Sequence, residues 1–153
     1  MTLHTSLLLC ATLMAGAQAA HARPDLPERE YRRAGAEKLI RTCTRDGHTL
    51  TVLARPGVEV ARDERIPAGL PVDAFMDGLA SLVTRLAATL TQQELLLPDS
   101  EGARRLSDAV DAWMATFNRE HGVKLAWAIA DFGVSEAPRA DCADPAGTVA
   151  PMR

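Results

Sequence analysis

Val72-Asp73-Ala74-Phe75-Met76-Asp77-Gly78-Leu79-Ala80-Ser81-Leu82-Val83-Thr84-Arg85-Leu86-Ala87-Ala88-Thr89-Leu90 decides how the rest of the chain is read. Val72, Phe75, Met76, Leu79, Leu82, Val83, Leu86 and Leu90 recur at three- and four-residue steps. On a helix that spacing gathers them into one broad apolar stripe. Asp73, Asp77, Ser81, Thr84 and Arg85 fall elsewhere. Pro71 suits a first helical turn, and Asp73 favours the positive end of the helix dipole. A stripe this wide has to be covered, so the fold depends on what the neighbouring segments place against it.

Downstream, Thr91-Gln92-Gln93-Glu94 has the form of a capping box and marks a fresh turn before Leu95-Leu96-Leu97 and Pro98. Asp99 or Ser100 starts a second helix. Leu106, Val110, Trp113, Met114 and Phe117 form its apolar side, and Arg104, Arg105, Asp108, Asp111 and Arg119 its polar side. His121-Gly122 ends it, with glycine supplying the left-handed cap. The short linker makes the two helices antiparallel. Val123 to Asp131 then reads as a strand, with Val123, Leu125, Trp127 and Ile129 on one face and Lys124, Ala126, Ala128 and Ala130 on the other. The small face invites a second layer, which predicts a central strand, and Gly133 ends it.

Upstream, Leu39–Ala54 alternates as a hairpin around Asp46-Gly47, the favoured two-residue turn. In that register Thr44 faces Thr49, Cys43 faces Leu50 and Arg41 faces Val52, so Leu39, Cys43, Leu50 and Val52 share a face. Residues 55–71, punctuated by Pro56, Gly57, Pro67, Gly69 and Pro71, read as a loop holding at most a short third strand, Val58-Glu59-Val60-Ala61. The charged arm 23–38 has a Glu28–Arg32 spacing and a single tyrosine, Tyr31, and is expected as a short helix leaning on the body. The fold class that follows is α+β: a small antiparallel or mixed sheet, made of the N-terminal β-hairpin and the C-terminal strand, packed by an antiparallel helix pair.

Residues 1–22 read differently. Leu7 to Ala15 is a short apolar run followed by Ala17-Gln18-Ala19 and Ala20-His21-Ala22, either of which fits a small-x-small cleavage site. The run falls short of the roughly 20 residues needed to span a bilayer, so no stable membrane anchor is expected. The amino-terminal six residues carry no Lys or Arg. Cys10 follows Leu9, where a lipoprotein signal would place a small residue. The expected organisation is a cleaved secretory leader over 1–22, one α+β domain over 23–134 and an irregular tail over 135–153. Cys43 and Cys142 then remain as a pair, and an even count in an exported chain predicts one disulfide that ties the tail back.

The bulk numbers exclude more than they assign. Net charge is −3, and the basic residues are 15 Arg against 2 Lys. Without a basic stripe, a dedicated nucleic-acid binder is not expected. Residues 23–65 carry a net +2 and residues 66–153 a net −5, a mild dipole. No His-x-x-x-His, Cys-x-x-Cys, P-loop, dinucleotide fingerprint or nucleophile elbow is present, so no metal, cofactor or catalytic set is assigned. Asp131-Phe132-Gly133 matches a kinase triplet, but the other kinase motifs are missing. The leading expectation is a periplasmic or secreted non-catalytic protein that binds another envelope or secreted protein. Its function is expected at the charged arm, the 55–71 loop and the tethered tail. The alternative is a small-molecule or lipid carrier with an apolar cavity between helices and sheet, lined by Trp127. A third reading, a hydrolase, requires Asp108, Asp111 or His121 to converge in one cleft.

Overall fold

A computed structural model describes residues 28–143. The predicted leader and the end of the tail lie outside the described residues. The elements run β1 (Arg29–Arg33), β2 (Lys38–Cys43), β3 (Thr49–Ala61), α1 (Val72–Ala87), α2 (Gln92–Leu96), α3 (Glu101–His121) and β4 (Leu125–Val134). This is an α+β fold, with one antiparallel sheet carrying the helices on a single face.

β3 is the organising strand. β1 and β2 follow one another along one of its edges, and β4 lies along the other. Ile40, Leu50, Val52, Ala54, Val58 and Val60 are buried on the helix side of the sheet. The α1 stripe, Phe75, Met76, Leu79, Val83 and Ala87, closes over them. Phe75 near the start of α1 meets Trp113 and Phe117 late in α3, with ring centroids 5.2 and 5.3 Å away. Leu90, just past α1, meets the start of α3 at Gly102. The helices are therefore antiparallel. Their termini follow the expected chemistry. Thr91 and Glu94 form the capping box, Ser100 Oγ accepts the Ala103 N–H at 3.0 Å, and Gly122 sits at φ 63°.

Four expectations about the sheet are corrected. First, the hairpin turn is one residue longer than Asp46-Gly47. Thr44 N–H donates to His48 O at 2.8 Å and Gly47, at φ 80°, donates back to Thr44 O. That is a three-residue loop with glycine in the left-handed position, the next most common hairpin solution. Cys43 therefore pairs Thr49 and Ile40 pairs Val52. Since side chains alternate with period two, the slip moves Leu39, Arg41 and Cys43 off the core face and puts Ile40 on it. His48, which follows the turn, is buried.

Second, residues 58–61 form a strand as expected, but not a separate one: residues 55–57, expected as loop, continue β3 into it. Pro56 lies mid-strand, where the missing N–H normally forbids it. Its carbonyl accepts Ala34 N–H at 3.0 Å, so the absent donor faces the same edge. There the neighbouring strand breaks, between Arg33 and Lys38, and the proline costs no ladder bond.

Third, the described part of the arm forms strand β1 and not a helix. β1 pairs β3 from Arg29↔Ala61 to Arg33↔Gly57. Tyr31 lies over Gly57 so closely that any Cβ there would overlap its ring, and its hydroxyl donates to Arg55 O at 3.3 Å. Burial pushes the Tyr31 phenol upward in pKa, against the lowering pull of Arg55. Pairing of a glycine with an aromatic neighbour explains why a charge-rich segment settles as strand. Gly57→Ala should cost about 1–3 kcal/mol in chemical denaturation, because the ring has to leave. The same substitution in a Tyr31→Ala background should cost clearly less, and equal costs would show that the ring is not what Gly57 accommodates.

Fourth, β4 is an edge strand and not a central one. Among the described residues no second layer covers Ala126, Ala128 and Ala130, and β4 continues through Gly133 to Val134.

Candidate functional site

A groove of about 270 Å³ runs between α3 and the outer strand β4. Trp127, Ile129 and Phe132 supply the sheet wall beside Leu50 and Val52. Ala103, Leu106, Ser107, Val110 and Asp111 supply the α3 wall, and Val83 and Leu95 the floor. Asp111 is the single ionisable residue of the lining.

A bulge builds the sheet wall. Ile129 pairs Ala54 and Asp131 pairs Leu53, which leaves Ala130 without a counterpart. The extra residue resets the alternation, so Phe132, opposite Val52, faces the helices together with Ile129. In an unbulged strand Phe132 would point to the other side. The period-two reading of the sequence therefore places Trp127 and Ile129 correctly and has no means of finding Phe132. Ile129 and Phe132 stay 54% and 39% exposed, although they stand on the core side of the sheet. The α3 wall is set by close packing elsewhere. A Cβ on Gly78 would lie 2.5 Å from Trp113 Cζ2, and one on Gly102 2.9 Å from Leu90 Cδ2. These two glycines let α3 seat its middle and its start tightly against α1 and the segment after it.

The other sequence candidates separate. Asp108, Asp111 and His121 are all exposed. His121 stacks on Phe117 at 4.0 Å, and its Nδ1 lies 2.9 Å from the carbonyl of the same residue, one turn back. A carbonyl only accepts, so that nitrogen carries the proton. The three residues share no cleft, and the hydrolase reading has no assembled site among the described residues. No group of three or more His, Cys, Asp or Glu able to hold a metal ion occurs among them either. Asp77 on α1 is engaged by Lys38.

Cys43 and Cys142 form the disulfide, with Cα atoms 5.4 Å apart. The bridge anchors a polar hub that joins the hairpin loop, α2 and the end of β4. His48 Nδ1 donates to Ser135 O at 2.8 Å, and Gln92 Nε2 donates to the same oxygen at 2.7 Å. Ser135 Oγ accepts Thr49 N–H at 2.9 Å, and Arg139 N–H donates to Gly47 O at 2.9 Å. Asp46 accepts from Thr44 Oγ1 at 2.7 Å and from the Gln92 N–H at 3.0 Å. Desolvation pushes the Asp46 carboxyl upward, but these hydrogen bonds and His48 outweigh it and hold the pKa below its ordinary value. The Thr91 backbone N–H does the same for Glu94. A depressed carboxylate contributes stability that is present above its unfolded pKa, near 4, and is lost as pH falls through the folded value. Asp46→Asn should therefore flatten the acid limb of a urea-stability profile below about pH 4. An unchanged limb would contradict the assignment.

Comparison with protein-family models, with characterised proteins and with solved structures finds no significant match. Among the described residues no helix is long and apolar enough to cross a membrane.

Proposed function

We propose that this chain is an exported, disulfide-tied, non-catalytic protein that binds a partner protein in the α3–β4 groove. One observation carries the reading. Ile129 and Phe132, large apolar side chains left 54% and 39% exposed, converge on one concave wall. Exposed apolar surface gathered in one place, unlike single scattered residues, is the usual mark of an interaction site. The opposite face of the sheet supports the choice by contrast. It presents Leu39, 61% exposed, only as a cross-strand pair with Leu53, surrounded by Arg41, Thr51 and the alanines of β4. The export part rests on the leader pattern and on the pairing of the two remaining cysteines. The location also changes the expectation from sequence, because the groove belongs to the helix–strand body and not to the arm, the 55–71 segment or the tail.

A photo-crosslinking amino acid at 129 or 132 should trap a discrete partner in envelope or culture fractions, and one at 39 should not. Ile129→Lys should abolish the trapping from position 132 and change stability by no more than about 0.5 kcal/mol, as for other exposed positions. Equal trapping from 39, or none from 129 and 132, would sink the proposal.

The groove volume favours one second reading, a carrier for a small apolar ligand. At about 270 Å³ it lies just below the range of ligand pockets, roughly 300–1,000 Å³, and its walls are nearly all apolar. Such pockets bury most of their ligand, which the exposure of Ile129 and Phe132 opposes. A co-purifying lipid or other small apolar molecule in native mass spectra, lost in Val110→Trp, would decide for it.

A further inference from the structure

We infer that the partner enters as an extended strand added antiparallel to the outer edge of β4, with apolar side chains at alternate positions and a lysine or arginine directed at Asp111. The inference rests on the reading that the α3–β4 groove is the binding surface. Lys124 O accepts Glu59 N–H, so Lys124 faces β3. Backbone direction alternates along a strand, which turns Leu125, Trp127 and Ile129 outward. The structure already fills the first of these rungs. Asn118 Oδ1 accepts Leu125 N–H at 3.0 Å and Asn118 Nδ2 donates to Leu125 O at 2.7 Å, the two bonds an added strand would make. Beyond the bulge, Phe132 N–H donates to the Asp131 carboxylate. Between these two caps, the outward backbone groups of Trp127 and Ile129 have no hydrogen-bond partner among the described residues and stand beside the groove.

The opposite edge is guarded differently. It carries Arg29, Glu30, Arg32, Arg33, Lys38 and Arg41, the charged composition that blocks edge pairing. β4 has one charge in ten residues, Asp131. A strand paired to Trp127 and Ile129 would point every second side chain under α3, into the groove. A second copy of this chain fits less well. Its own Trp127, Ile129 and Phe132 already stand beneath its own α3, so it would pair the edge and leave the groove unfilled. The charge preference comes from Asp111, the groove's single ionisable side chain, with Asp108 one turn away. Among the described residues neither carboxylate forms an ion pair.

The test uses the full chain and the peptide acetyl-Thr-Lys-Thr-Val-Thr-Leu-Thr-Lys-Thr-amide, followed by NMR titration and amide exchange. Binding should protect the Trp127 and Ile129 amides. N-methylation at the Val and Leu of the peptide, which removes the donors facing β4, should weaken binding about tenfold. Glutamate in place of both lysines should weaken it about threefold or more, and Asp111→Asn should remove that difference. Equal binding by the N-methylated peptide would overturn strand addition while leaving the groove as a site for side chains alone. No binding of the parent peptide would also overturn it, and the groove reading would fall only if crosslinking from 129 and 132 failed as well. Sedimentation showing a dimer that Ile129→Lys disperses would replace the peptide strand with a second copy.

Discussion

Replacing Cys43 and Cys142 together by alanine should lower the unfolding free energy by about 2–5 kcal/mol, the usual cost of losing a native disulfide. The two cysteines are 99 positions apart, and in the chain-entropy model a loop near that length gives a figure of about 4.7 kcal/mol. Most of that acts on the unfolded chain, which becomes less restricted. A folded-state share adds to it. Cys142 is 6% exposed and its sulfur lies 3.4 Å from Thr49 Oγ1, so the bridge also presses the segment after β4 onto the hairpin. Urea unfolding with and without reductant is the measurement. The double variant and the reduced wild type should agree within the error of the method. A loss below about 1 kcal/mol would mean that the hydrogen bonds through Ser135 and Arg139 hold this segment unaided.

Phe75→Ala should cost about 3–5 kcal/mol, the range for deleting a buried phenylalanine. Phe75 is 0% exposed and lies at the junction of both helices with the sheet. Its ring meets Trp113 at 5.2 Å and Phe117 at 5.3 Å, and those two lie 5.5 Å from each other. Aromatic pairs add about 0.5–1.5 kcal/mol each beyond buried area, so the site cannot collapse cheaply around an alanine. Phe75→Leu should recover more than half of the loss, since it fills most of the volume. A cost under about 2 kcal/mol for the alanine variant would show that α3 settles into the space. Tryptophan fluorescence distinguishes the cases, because Trp113 borders the deleted ring.

The contrast between helices and sheet explains what was legible. The stripes of α1 and α3, the Thr91–Glu94 box, the Ser100 cap and the Gly122 stop all involve residues within one or two turns of each other. Their physics is complete within a short window of chain. The hairpin was legible as a hairpin, but its register depended on whether Gly47 closed a two- or a three-residue loop. Both solutions suit Asp-Gly, and burial of Ile40 rather than Leu39 decides between them. Pro56 and the charges of the arm spoke locally for loop and helix. Pairing along β3 overrode both, because the proline faces the break between Arg33 and Lys38 and Tyr31 covers Gly57.

The candidate site was legible in part. Trp127 could be placed on a core-facing strand position, and a cavity between helices and sheet could be entertained. Phe132 and the openness of the groove could not. The first depends on the bulge at Ala130, and the second on β4 being an outer strand. Among the described residues the alanine face that argues for a covered, central strand is uncovered, because the described helices lie on the other side of the sheet.

By itself, then, the sequence determined the α+β class, the helices and their caps, and the two cysteines that pair. These follow from local periodicity, local capping chemistry and a count. Strand order, register, the outer position of β4 and the groove against α3 were decided only in the tertiary structure. Each depends on which distant backbone edges pair, and edge pairing is a competition among segments whose local signals are nearly alike.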